Sequence, residues 1–521
     1  MRYWLMSVAL IGFVVAVGDS QETKKSKDSK SGTPTEPTEI LNKSFKDWMS
    51  EMKSKDPGRR ETALKAFLEF GPNKAYEAVP EIMAQLNKHK ATTPVDLSFR
   101  VNGLMTLSTI FKNTYATKKE GPDEKHLLEA VEIYKKMLTT EQVVLRVRAV
   151  QGIIWLGPTA QKAMKEVIKL SKDPVTWEVR KEALQTMVIL ARGPKGTPPL
   201  PEALPVLRAA LGDGKGTGDI SFHVRQVAVQ GIAALSMNSD KVPIELTTKA
   251  LADPSVEVRQ AAVQGIAELS KHLGKVQIEL STKALNDSSP QVRLTALNSL
   301  AALRDELIVK DMVVTIKRLN EHIPLEKDEI VLIWTHGTIM ALTKSITKLH
   351  VDPVVKKLNE TTSTPVKLQA LTVIGLAGEK ARPLAADAVL PFIEDKDSSI
   401  ASTALITLVQ MGHFAPVLAK LKDKDAAVRL QGLQLINLAG AFAKSACYEA
   451  VVNTIGDSNI NIAEAAINTL EAIEAFEAIP MLQKIADDKK ANTVLREAAK
   501  DTMDDLNRKL KEKEKEKKEK K

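Results

Sequence analysis

The chain has 521 residues, of which 44% are hydrophobic and 27% charged, with aromatics at only 4% and a net charge of +9. This balance excludes global disorder and a membrane-embedded body, and so few aromatics favour many small helices over one large β core. Eight Lys against four Glu at 509–521 and Arg2 in the first 18 residues leave +4 for the body, too dispersed for the basic stripe of a nucleic-acid binder.

In chain order, the first element is a positive start at Arg2 and an apolar run over 5–17, closing on Ala16-Val17-Gly18. Small residues before the break suit a signal peptidase, and the run is too short for the ~20 residues that span a bilayer. Residues 1–18 read as a signal peptide cleaved after Gly18, with an uncleaved signal anchor as the alternative. No Cys follows the run, so no lipoprotein acylation site is present. The expected destination is outside the cytoplasm, periplasmic or secreted. Residues 19–44 read as a disordered linker, since 20–38 hold no side chain able to seed a core. No transmembrane segment is expected in the mature chain.

Beyond the linker the sequence repeats itself. Residues 224–257 align without gaps to 258–291, with 22 of 34 positions identical. The same pattern places a marker at Arg60, Leu97, Arg146, Arg180, Arg225, Arg259, Arg293, Leu332, Lys367, Ala401, Arg429, Ala463 and Arg496, of which Leu97 and Leu332 match weakly. Each of the 13 units reads as two helices. In the second, Val258, Ala262, Val263, Ile266 and Leu269 recur at spacings of three and four and form one buried stripe. The first carries Pro in its opening turn, as at Pro80, Pro205, Pro391, Pro416 and Pro480, where a missing N–H costs nothing. Gly71-Pro72, Gly157-Pro158 and Gly193-Pro194 close second helices, Gly taking a left-handed conformation and Pro blocking continuation. A hairpin of this size completes its core only by stacking on its neighbours, so the expected fold is all-α, an α-α superhelix of about 13 hairpins over 45–508.

An Asp recurs six residues before the marker: Asp219 before Arg225, Asp253 before Arg259, Asp287 before Arg293, Asp423 before Arg429, and Asp395 and Asp457 before Ala markers. Asp in the turn, Val-Arg opening the second helix, then small and aliphatic residues: this pattern resembles the HEAT repeat, especially the short bacterial form grouped with phycobilisome lyase repeats. The resemblance covers about residues 45–508. It implies an Asp–Arg ladder between neighbouring turns, carried by the pairs just named, and second helices lining a concave face. Spacing departs from the pattern at 113–126, 192–201 and 212–219, where insertions fall in loops suited to unit-specific contacts.

Chemistry is sparse. In 212–219, Lys215 is followed by Gly216 rather than Ser or Thr, so no phosphate loop forms, and Asp213, Thr217 and Asp219 do not match calcium-loop spacing. The eight His are scattered, with no HExxH or His/Cys cluster; His223 and His336, at second-helix starts, read as surface or capping groups. Cys447 is the only cysteine, so no internal disulfide is available, and its apolar neighbours make it a small buried hydrophobe rather than a reactive thiol. The tail at 509–521 reads as a frayed helix extension or a disordered end. Trp155 stands where equivalent units have Ala234, Glu268 or Glu69, so it is either an exposed hot spot or packed against the 113–126 insertion. Trp177 and Trp334 are the other partner-binding candidates. The function expected is a non-catalytic, exported protein-binding scaffold, monomeric, with no cofactor and no nucleic acid. The alternatives are a lyase-like or enzyme-accessory protein and an envelope-associated structural protein.

Overall fold

All thirteen repeat markers, the two weak ones included, are the fourth residue of an α-helix. A computed structural model describes residues 37–519 apart from 90–92, 118–120, 193–199, 214–216, 237–243 and 274–277. Its contacts divide the described residues into a unit ending at Leu307 and a unit beginning at Ile308. In the first, the second helices are α1 (Pro57–Glu69), α2 (Pro94–Thr117), α3 (Val143–Gly152), α4 (Trp177–Ala191), α5 (Phe222–Ser236), α6 (Val256–Leu273) and α7 (Pro290–Ala302). In the second they are α8 (Glu329–Thr343), α9 (Thr364–Leu376), α10 (Ser398–Gln410), α11 (Ala426–Ala439), α12 (Ile460–Ala472) and α13 (Thr493–Glu519).

The cap sets the register. Four residues before each marker stands Asp, Asn, Ser or Thr in every unit except that of Arg146, where it is Gln142. Asp56 accepts from the Gly58 N–H at 2.8 Å, Asp425 from Ala427 at 2.8 Å, and Asn459 from Asn461 at 3.0 Å. Such oxygens satisfy donors that the first helical turn leaves open, and each contributes about 1 kcal/mol.

Two further register positions build the core. The fourth residue after the marker is aliphatic and buried in most repeats, as at Leu64, Val150, Leu184, Val229, Leu371 and Ile467. The sixth is small: Gly103, Gly152, Thr186, Gly231, Gly265, Ser299, Thr407 and Thr469 among others, with Val373 and Leu435 as exceptions. Within each unit consecutive second helices pack side by side, and this small column lets them approach. A Cβ added to Gly231 would lie 2.6 Å from Val188 Cγ2 of α4, and one added to Gly152 would run into Ser108 Oγ of α2. At two Thr positions of the column the hydroxyl crosses to the preceding helix, Thr186 Oγ1 donating to Val150 O at 2.8 Å and Thr407 Oγ1 to Leu371 O at 3.0 Å, whereas Thr469 Oγ1 donates to Ala465 O of its own helix at 2.7 Å.

Gly71 and Gly157 take φ of 89° and 60° and lead into the next short helical segment, a conformation open to Gly and costly for a residue with a Cβ. Gly193-Pro194 lies outside the described residues, as do the signal peptide and the linker up to 36. The linker's end differs from expectation. Residues 39–44 form a two-stranded hairpin, Glu39–Ile40 pairing antiparallel with Lys43–Ser44. Leu41 and Asn42 supply its left-handed turn, and Trp48 Nε1 donates to Ile40 O at 3.0 Å, so the Trp48 indole anchors a segment with little core of its own. At the other end, α13 runs unbroken through the charged tail to Glu519. Lys509 Nζ meets Glu471 Oε1 at 2.6 Å and Lys513 pairs with Glu474, so the first residues of the tail dock on α12 and the turn that follows it. Among the described residues, no helix is long and apolar enough to cross a membrane.

Candidate protein-binding face

The turns before the second helices carry the charged ladder. Arg225 Nη1 donates to its own turn, to Asp219 O at 2.8 Å and Ile220 O at 3.3 Å, while Nε and Nη2 reach Asp253 of the next repeat, both at 2.8 Å. Asp253 Oδ1 also accepts from the Ser255 N–H at 2.9 Å. The carboxylate bond therefore runs forward by one repeat, and the six-residue Asp–Arg pair meets only through a main-chain carbonyl. Arg180 holds Asp219, Arg259 holds Asp287 and Arg429 holds Asp457 in the same two-pronged way, at 2.6–2.9 Å. The bond to Arg429, then burial working the other way, leaves the Asp457 carboxyl below its ordinary range. Arg293 Nη1 reaches Asp287 O at 2.8 Å. Asp423 follows the marker Ala401, which has no cation to offer it, and accepts from the Asp425 N–H at 2.8 Å. Arg180, Arg225, Arg259 and Arg429 are thus committed to structural bonds, whereas Asp423 stays exposed.

The three tryptophans part company. Trp334 is half-buried and donates through Nε1 to Gln369 Oε1 at 2.8 Å, a contact between the second positions after the markers of α8 and α9. Trp177 stacks on His223 with ring centroids 4.4 Å apart, and His223 lies 3.9 Å from Phe222. Trp155 is 37% exposed, with Lys112 Nζ 5.0 Å from its ring centroid. The 113–126 insertion is tied elsewhere: Tyr76 Oη accepts from the Asp123 N–H at 2.8 Å and lies 3.1 Å from His126 Nδ1, while the Tyr115 hydroxyl lies against Gly157.

Sequence reasoning missed what surrounds Trp155. It is the ninth residue after its marker, in the 3-10 segment that continues α3. On α4 the ninth residue is Ile189, 48% exposed, and on α2 the eighth is Met105, 47% exposed. These helices are consecutive neighbours, so the three side chains form one apolar row. At the same register the row closes with exposed Glu69 on α1 and Glu268 on α6. The signal lay in the self-alignment, read down a column instead of along the chain.

His336 corrects an expectation. It is buried, and its Nδ1 lies 3.2 Å from that of His350, also buried. His336 is the fourth residue after Leu332, the aliphatic core position of other repeats, which is why it points inward rather than capping the surface. Burial, with the neighbouring His350, pushes its imidazole down to about 4. Cys447 is buried, and burial pushes its thiol up to about 11. Among the described residues, no three His, Cys, Asp or Glu side chains are grouped to hold a metal ion.

A family model for the HEAT repeat matches residues 244–273, the short first helix and the second helix of one repeat. A comparison with curated proteins finds no match. Among solved structures, a crystal structure of importin beta is similar at TM-score 0.50 and 9% identity, over 89% of this chain and 66% of that one. Yeast importin-beta (Kap95p) is similar at TM-score 0.46 and 12% identity, over 90% and 74%. A mutant of Kap121p gives 0.41 and 13%, over 88% and 52%, so the chain spans about half the length of that protein. At 9% identity the likeness to importin beta is one of fold. The match is to the HEAT repeat in general and does not extend to the phycobilisome-lyase form. With the matched repeat, the all-α solenoid fold and the marker register held through thirteen helices, the chain is a HEAT-repeat protein.

Proposed function

We propose that the chain is an exported, non-catalytic scaffold that binds a protein partner on the second helices of its first unit. The observation that carries this is the row of Met105, Trp155 and Ile189, three large apolar side chains 37–48% exposed on three consecutive helices. Each is held on a stack whose neighbouring positions are committed to core and ladder. Isolated exposed apolar residues are ordinary, whereas three of them on successive packed helices, at the eighth or ninth position after the marker, suit an interface core. A Trp in such a row is the residue type that most often carries binding energy, typically ~2 kcal/mol or more on truncation. Export rests on the 1–18 segment, and the site needs no metal or cofactor.

The test is affinity capture from an extracytoplasmic fraction of the source organism with residues 19–521, beside Trp155→Ala and Ile189→Ala. The expected outcome is a protein captured by the unchanged chain and reduced at least tenfold by each substitution, both variants keeping the parent's helical circular dichroism. Capture that is unaffected by both substitutions would sink this face as the binding surface. Export is checked by the N-terminal residue of the chain recovered outside the cytoplasm, expected to be Asp19.

A further inference from the structure

Beside the apolar row runs a second one. The fifth residue after the marker is Gln151 on α3, Gln185 on α4, Gln230 on α5 and Gln264 on α6, with Asn102 on α2 and Asn298 on α7. Position five lies one helical turn from position nine, so the amides and the apolar row share one exposed stripe. Gln151 accepts from Arg148 Nη1 at 3.0 Å. The side chains of Gln185, Gln230 and Gln264, half-buried to exposed, make no hydrogen bond among the described residues. Four consecutive helices thus each present a carboxamide, a group that can donate and accept at once.

Glu69 and Glu268 mark the two ends of the apolar row, whereas beside Met105, Trp155 and Ile189 the charges left without a carboxylate partner are cationic. Lys181 is neutralised by Glu182 at 3.2 Å. Lys112, Arg148 and Arg192 have no carboxylate partner among the described residues: Lys112 lies over Trp155, Arg148 bonds Gln151, and Arg192 Nη2 donates to Ala234 O at 3.3 Å.

Spacing selects the occupant's conformation. Packed helices lie about 8–10 Å apart. A β-strand covers that step in about three residues, but its side chains alternate, so every third one faces the wrong way. A polyproline II helix advances ~9.3 Å in three residues, returns the same face each turn, and leaves its own N–H and C=O groups unpaired. It matches one turn to one repeat and offers the amides a main chain to bond.

We propose that α2–α6 bind an acidic, extended polypeptide segment of about twelve residues in polyproline II conformation, its main chain on the glutamine row and an apolar side chain at every third residue on Met105, Trp155 and Ile189. This rests on the reading of the face as a protein-binding surface and names the partner's chemistry. The test is selection of a random twelve-residue peptide display library against residues 19–521. A synthetic peptide of the enriched sequence is then titrated by calorimetry against the unchanged chain, Gln185→Ala/Gln230→Ala and Ile189→Ala. The same peptide N-methylated at two central residues, which removes main-chain donors, is titrated in parallel. The expected result is enrichment of Asp/Glu-containing peptides with apolar residues three apart, and affinity lowered at least tenfold by N-methylation and by each variant. No enrichment, basic or helix-forming consensus peptides, or affinity indifferent to N-methylation and to the glutamine pair would overturn the proposal. If Ile189→Ala still abolishes capture of a folded partner in that event, the protein-binding face stands and only the extended-segment proposal falls. If Ile189→Ala also has no effect on capture, both fall.

Discussion

A single arginine can differ in worth from its equivalent one repeat away, and burial decides by how much. Asp253, the partner of Arg225, has a side chain at 0% exposure, whereas Arg259 and Asp287 are each 11% exposed. Removing Arg225 strands a carboxylate with no route to water, a loss of about 3–5 kcal/mol; removing Arg259 leaves Asp287 able to rehydrate, at about 1–3 kcal/mol. Urea denaturation of Arg225→Ala and Arg259→Ala is expected to give that order, and equal losses would contradict the burial argument. His336 yields a pH dependence. Its imidazole titrates near 6.5 when unfolded and at about 4 when folded, so between those values the unfolded chain binds more protons. The stability it protects is complete above pH 6.5 and declines as pH falls toward 4, by up to about 3 kcal/mol. His336→Leu, which restores the residue type usual at that register, should flatten the change in melting temperature between pH 7 and pH 4.5.

At the scale of the helix, what distinguishes one repeat interface from another is the small sixth position. A methyl at Gly231 meets Val188 Cγ2 at 2.6 Å, and that branched side chain has one strongly preferred rotamer in a helix. At Gly265 the nearest atoms, Ala233 Cβ and Thr247 Cγ2, lie at 3.2 Å. Ala gains about 1 kcal/mol over Gly in helix propensity, and overpacking costs about 1–3 kcal/mol. Gly231→Ala is therefore expected to destabilise by up to about 2 kcal/mol and Gly265→Ala to be close to neutral, read from thermal melts of the two variants. Gly231 more stable than wild type after the change would show that α5 and α4 are not in contact through this column.

Across the whole chain, the helix boundaries were legible because two signals coincide: a cap residue four before the marker and an apolar stripe after it. Leu97 and Leu332, which lack the Arg, still fall at the fourth position since Thr93 and Asp328 do the capping. The second helices were thus readable even where the ladder is broken. What was not readable came from outside this pattern. The 39–44 hairpin depends on Trp48, which lies beyond the segment it holds. Trp177 and Trp334, weaker candidates than Trp155 along the sequence, still show nothing there of the partners that the neighbouring helix supplies, His223 and Gln369. His336 stands in the buried column of its repeat, a placement that its residue type alone conceals.

The forward-running ladder, joined to the near identity of 224–257 and 258–291, has a consequence for how the chain reaches its native state. Arg225 binds Asp253, and the chain offers a second carboxylate in a similar local sequence, Asp287; each is followed two residues later by a Ser N–H. Grasping the second would skip a repeat and extrude some 34 residues, at a closure cost of only about 3 kcal/mol. Such a slipped species keeps a well-formed ladder and loses one interface, which makes it a trap during refolding. Elsewhere Leu332, Lys367, Ala401 and Ala463 interrupt the repetition, and a misplaced repeat finds the wrong partner. Divergence between repeats then acts as an address, marking each helix for one neighbour and directing the chain to a single register.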